Sequence, residues 1–218
     1  MKAVLGLSIL SFSIFLNACE DPAANKVRAV TSKASIASPG ANPAAAVSTK
    51  GETLVLTPEN SKVSFIGSKV TGRHDGGFNQ FAGTIDLVNG EPQESGVRVE
   101  IETASVYTDA DGLTKHLQTG DFFETGKFPK ASFASTKVQP DTEKGANGYM
   151  VTGDLEIRGQ KKTVTFPATI QVGTESVDVD AEFVIDRKDF GIVYAGKADD
   201  LIRDDVVIKL DLNSLRNR

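Results

Sequence analysis

From about Glu52 onward the apolar positions recur at every second residue, the spacing of strands that turn one face to a core. Tyr149, Val151, Gly153, Leu155 and Ile157 share one parity; so do Val164, Phe166, Ala168 and Ile170, and then Val177, Val179, Ala181, Phe183 and Ile185. The residues between them are mostly Asp, Glu, Thr and Lys. Val97, Val99 and Ile101 repeat the pattern earlier, and Val206, Ile208, Leu210 and Leu212 repeat it at the end. Further strands are predicted over 54–57, 62–70, 78–88 and 130–138. In the third of these the apolar parity changes between Phe78 and Phe81, which predicts a bulge. Asn89-Gly90, Asn147-Gly148 and Arg158-Gly159-Gln160 supply hairpin chemistry between the runs, so neighbours are antiparallel. One helix is predicted, over 109–119, where Leu113 and Leu117 stand at i and i+4 behind an acidic start. About eight strands, each with one apolar face, and one or two short helices predict an all-β, antiparallel barrel in preference to a sandwich.

The first 50 residues read differently. Lys2 precedes an uncharged run over 3–16, the short cationic and apolar regions of an export signal. A span of the hydrocarbon core takes about 20 residues, so this run is too short to cross it comfortably. It ends in Leu16-Asn17-Ala18-Cys19, which resembles the lipobox of bacterial lipoproteins, and Cys19 is the chain's single cysteine. The expected organisation is therefore a lipoprotein signal peptide over 1–18, a lipidated Cys19 with a flexible linker over 19–50, and a folded domain over 51–218. The linker is expected to lack structure because it is rich in Ala, Ser, Pro and Asn without apolar periodicity. An exported, periplasm-facing protein anchored to the outer or cytoplasmic membrane follows.

Composition removes several function classes. Lys plus Arg number 24 against 29 Asp plus Glu, a net charge of −5, so no basic footprint for a phosphate backbone exists and nucleic acid is not an expected partner. One Cys and two His leave little for a metal centre. Asp109-Ala110-Asp111-Gly112 opens like a calcium loop, but Gly120 stands where the twelfth-position Glu would be. There is no nucleophile elbow, phosphate loop or Cys-His constellation. Asp199-Asp200 and Asp204-Asp205 are adjacent pairs that point apart on extended chain. No catalytic residue, metal or cofactor is expected.

Three segments resemble the YceI-like family of exported bacterial proteins. The first runs from His116-Leu117 through Asp121-Phe122-Phe123-Glu124 to Phe128-Pro129 and Phe133; the second is Gly153 to Gly159 leading into Lys162, Val164 and Phe166; the third is Asp186 to Ile192 followed by Asp205 and Val206. Gln160 and Gly120 depart from the pattern without disturbing order or spacing, and the resemblance covers roughly 52–213. It implies a lipocalin-like barrel that holds an amphiphilic isoprenoid, such as a polyprenyl phosphate or a quinone tail, or another long-chain lipid. The interior residues would then be Phe65, Phe81, Val99 and Ile101; Phe122, Phe123 and Phe133; Val151, Gly153 and Leu155; Phe166, Ala168 and Ile170; Val179, Ala181 and Phe183; and Ile208 with Leu210. Gly153, Ala168 and Ala181 are expected to leave the space that a chain fills. His116 and Arg187 are candidates to orient a head group. Three alternatives stand beside this: Phe122 and Phe123 as a plug closing one barrel end; a structural or stress-related, solid-cored module that acts through protein contacts; and an enzyme acting on such a lipid, for which the sequence offers no nucleophile, base or metal site.

Overall fold

The computed structural model describes residues 21–34 and 51–216, so the signal over 1–18, Cys19 and much of the linker lie outside the described residues. Among the described residues there are fourteen strands and one α-helix, where about eight strands and one or two short helices were expected. Much of the excess comes from walls that bend. β1 (Val30–Lys33) precedes the barrel; β2 (Gly51–Leu56) and β3 (Ser61–Lys69), β4 (Gly72–Phe78) and β5 (Phe81–Val88), and β6 (Gly96–Glu102) and β7 (Val106–Thr108) are three bent walls. The helix α1 (Asp111–Leu117) follows, and then come β8 (Lys130–Pro140), β9 (Gly148–Ile157), β10 (Gln160–Val172) and β11 (Ser176–Asp186). A small hairpin of β12 (Gly196–Lys197) and β13 (Asp200–Leu201) leads to β14 (Asp205–Leu215). The sheet order β2-β5-β6-β8-β9-β10-β11-β14-β3-β4-β7 runs antiparallel throughout. Because β14 pairs with β3 and the end of β14 also meets β2, the sheet curls back on itself. The Ser214 hydroxyl donates to Val55 O at 2.8 Å and the Arg216 guanidinium to Glu52 at 2.9 Å across that join.

Each bend is held by a polar side chain that replaces lost ladder bonds. At 57–60 the Asn60 amide accepts from Thr57 N–H at 2.9 Å and donates to Val55 O at 3.0 Å. The parity change between Phe78 and Phe81 is the break at Asn79 and Gln80, where the Ser105 hydroxyl accepts from Gln80 N–H at 3.0 Å. At the third bend the Thr103 hydroxyl, buried, donates to Phe128 O at 2.7 Å. Arg158 and Gly159 form the two-residue β9–β10 turn with φ of 52° and 69°, the doubly left-handed geometry of a tight hairpin that keeps the strand twist.

β4 escapes the apolar pattern because glycine does its packing. A Cβ on Gly76 would stand 2.5 Å from the Phe65 ring and 2.6 Å from Tyr107 O, so the ring of the paired strand lies flat over bare backbone.

The N-terminal segment departs from expectation. Residues 21–34 lie along the barrel wall, with Ala23 and Ala29 buried and β1 paired to β10 from Val30↔Thr165 to Lys33↔Lys162. The structureless linker expected over 19–50 therefore does not hold for these residues. A segment with so little apolar surface orders here because its hydrogen-bond partners are two strands that lack each other.

Candidate functional site

The inward faces enclose a cavity of about 160 Å³. Its wall is built from β3, the end of β4, β5, β6, β8, β9, β10, β11 and β14, with Pro92 and Ser95 of the β5–β6 connection also lining it. Of the residues expected inside, Phe65, Val99, Ile101, Phe133, Val151, Leu155, Phe166, Ile170, Val179, Phe183, Ile208 and Leu210 line it. Several of them, including Leu155, Val179 and Ile208, are only half-buried although they point inward, because the surface they leave open faces the cavity. Val97, Val164 and Ile185 also line it, and their signal was in the sequence, since they share strand parity with the others. Phe78, Ile85 and Leu87 line it too, although the break at Asn79 hides their common face.

The other expected interior residues sit elsewhere. Phe81 is buried in a cluster with Leu54, Leu56 and Val63 but does not reach the cavity. Phe122 packs with Val106, Leu117 and Ile192 at the end covered by α1, and Phe123 lies at the edge of the same cluster. Gly153 leaves no space, since a Cβ there would come within 2.6 Å of Ala134 O and would meet the Phe133 ring, which fills the gap. Ala168 and Ala181 are buried with Phe166 and Phe183, yet the opening they border is a second recess on the barrel's outer side.

Neither candidate for a polar head group faces the cavity. His116 Nε2 lies 2.8 Å from the Asp121 carboxylate, and its ring meets Phe122 and Tyr194 edge-on at 5.0 and 5.1 Å, so it closes the helix-covered end. Arg187 is 4% exposed and spends its donors on Arg203 O, Ile192 O, Ile202 O and the Asp204 carboxylate at 2.7–3.4 Å. It ties the turn after β11 to the segment before β14. Lysine offers a single point of charge in place of that planar fork. Arg187→Lys is therefore expected to lower unfolding free energy by about 1–3 kcal/mol through buried carbonyls left without donors. Equilibrium urea unfolding checks this, and apolar ligand binding should be unaffected while the protein is folded.

What the wall lacks decides its chemistry. Among the described residues its polar side chains are Ser64 and Ser95, and both hydroxyls donate to backbone, Ser64 to Lys209 O at 3.4 Å and Ser95 to Glu91 O at 2.7 Å. Among the described residues no carboxylate, amine, imidazole or thiol lines it. A molecule in this space would meet apolar surface alone, and none of these side chains offers a base or an acid. The perturbed ionisable groups lie on the surface: a hydrogen bond from His74 holds the Asp109 carboxyl below its usual range, Lys69 does the same for Asp200, and Glu100 raises Lys130. Among the described residues no three His, Cys, Asp or Glu side chains gather as metal ligands.

Comparison with known proteins agrees with this architecture. A UPF0312 protein of Pseudomonas putida strain W619 is 32% identical over 140 residues, which covers 62% of this chain and 71% of that protein. The crystal structure of Burkholderia cenocepacia BcnA superposes with a TM-score of 0.61 at 25% identity, over 70% of this chain and 95% of BcnA. A polyisoprenoid binding domain from Saccharophagus degradans, implicated in plant cell wall breakdown, shares the fold with a TM-score of 0.60 at 17% identity, over 77% of this chain and all of that domain. The model of the YceI-like domain matches residues 54–214, nearly the whole barrel, and the chain belongs to that family.

Proposed function

We propose that this protein binds an amphiphilic isoprenoid lipid by its hydrocarbon chain and carries or stores it without chemical change. The observation that supports this most is the cavity wall, apolar throughout, with both of its hydroxyls turned to backbone. Such a wall favours a chain and offers nothing to a polar body, so the head group stays at a mouth of the barrel or in solvent. The polyisoprenoid binding of the Saccharophagus degradans domain is consistent with this ligand class. Each CH₂ removed from water contributes about 0.8 kcal/mol before association costs, so a few isoprene units suffice for firm binding. Mass spectrometry of lipid extracted from the natively purified full chain tests the reading. A co-purified isoprenoid near one per protein supports it, and a protein free of extractable lipid that also fails to take up added isoprenoid overturns it.

The proposal includes a membrane tether at Cys19, two residues ahead of the ion-paired Asp21. Thioether lipidation requires a thiol, so Cys19→Ser should abolish acylation and leave the signal peptide attached. Intact mass of the detergent-extracted protein measures both, and acyl chains on the variant would show that Cys19 is not the anchor. Lipidated bacterial cysteines carry more than one chain, which is the condition for stable anchoring.

A further inference from the structure

β10 and β11 are neighbours for only part of their length. They pair from Thr169↔Asp180 to Val172↔Val177, and beyond that fork they diverge. The N-terminal segment fills the gap. On one side β1 pairs with β10 through four positions; on the other, Ala29 N–H donates to Val184 O at 2.8 Å and Val184 N–H to Val27 O at 2.9 Å. Ala29 faces inward, against the cluster that contains Phe166 and Phe183. Those two rings line the cavity and stack at 4.1 Å, one from each diverging strand. Between the outside and the cavity there is thus one inserted strand and one ring pair. At the fork itself an outer recess of about 500 Å³ is bordered by Val27, Ala168 and Ala181, and both alanines belong to the same buried cluster as the stacked rings.

The inserted strand is weakly held. β11 pairs with β14 through eleven consecutive positions, against four between β1 and β10. Only alanines anchor the segment, since Val27 and Val30 are exposed while Ala23 and Ala29 are buried. Its side-chain ties are the solvent-facing ion pairs Lys26–Glu182, Arg28–Asp205 and Asp21–Arg203, a class that contributes little. It also precedes the family-matched region, which begins at residue 54. Meanwhile a cavity of about 150 Å³ holds one benzene, so the 160 Å³ here accommodates roughly one five-carbon isoprene unit. A longer chain requires the wall to give way somewhere.

We infer that the β10–β11 seam is the entrance for the hydrocarbon chain and that residues 26–33 are the removable strand that closes it. This rests on the carrier reading above. Displacing the segment uncovers the Phe166–Phe183 pair and opens a slot one strand wide, through which a chain can slide sideways with its head group still outside. The seam closes at rest because the backbone groups of β10 and of Val184 need the partners that the segment supplies. Local opening of a weakly held element is the ordinary low-energy fluctuation of a folded protein.

A reversible lock tests this. Ser32 and Thr163 stand opposite each other in the β1–β10 register, on the parity that faces away from the cavity. Ser32→Cys with Thr163→Cys, in the full chain carrying Cys19→Ser, pins the segment when oxidised and frees it when reduced. The probe is all-trans-retinol, a fluorescent isoprenoid alcohol, mixed in stopped flow with the detergent-solubilised protein. The oxidised form should bind and release it at least tenfold more slowly than the reduced form. Ala29→Asp, which puts a charge where the cluster is apolar, should expel the segment and speed binding severalfold, and it reports even where the disulfide distorts the barrel. Equal rates in the oxidised and reduced forms, with Ala29→Asp unchanged, overturn the entrance and leave the carrier reading intact. Retinol that binds to no form overturns the carrier reading and the entrance with it.

Discussion

Val179→Phe is expected to weaken binding of an isoprenoid probe by a hundredfold or more while leaving unfolding free energy within about 1 kcal/mol of the parent. Val179 sits midway along the barrel, paired with Ile170 on one side and Leu212 on the other, lines the cavity, and is only half-buried because it faces open space. A ring added there competes with ligand for the same volume. Displacing four CH₂ groups forfeits about 3 kcal/mol at ~0.8 each, which is roughly two decades in Kd. The stability half of the expectation separates a cavity from a core. Were the interior filled, the same ring would overpack it and cost about 1–3 kcal/mol, with no binding to lose. Retinol titration and chemical denaturation of one preparation read both numbers. A drop in stability, with retinol bound by neither the parent nor the variant, would replace the carrier with a solid-cored interaction module.

The position chosen for that test shows where sequence reasoning succeeds and where it stops. Strand faces are legible because side chains alternate strictly, and Leu155, Phe166, Val179 and Ile208 point inward as their parity requires. Side-chain size along a face does not reveal where space lies. Gly153 looks like a gap in one dimension, but Phe133 two residues away on the paired strand reaches across and fills it. Ala168 and Ala181 look like a widened interior, yet they are buried against Phe166 and Phe183 and the space they border is an outer recess. Both errors have one cause, that packing is decided by neighbours distant in sequence. The same holds for the segment that leads into β1, whose pattern is nearly invisible because Ala23 and Ala29 are its buried side chains and β1 itself buries none. Arg187 stands in the sequence only as a candidate to orient a head group, and it is the fold that shows backbone carbonyls consuming its donors.

The barrel's covered end supplies the second large effect. Phe122 is 7% exposed, packs with Val106, Leu117 and Ile192, and meets the rings of His116 and Tyr194 edge-on at 5.0 and 5.6 Å. No atom of the cavity wall belongs to it. Its sequence neighbour has a different duty: the Phe123 ring lies 5.7 Å from that of Phe78, which does line the cavity, so Phe123 braces the wall from outside. Truncating a buried Phe removes its transfer free energy and leaves a void, together about 3–5 kcal/mol. Phe122→Ala should therefore unfold at markedly lower denaturant while binding retinol with affinity within about twofold of the parent, measured where the variant is still folded. Phe123→Ala should lose less stability, because its ring is only partly buried, and should weaken binding severalfold as Phe78 relaxes outward. The pair of outcomes matters more than either alone. If Phe122→Ala keeps its stability and loses the ligand, the aromatic block is a pocket wall and the cavity extends under α1. If it loses stability and keeps the ligand, the block is a plug, and the chain must enter either past Pro92 and Ser95 or through the seam beside Ala29.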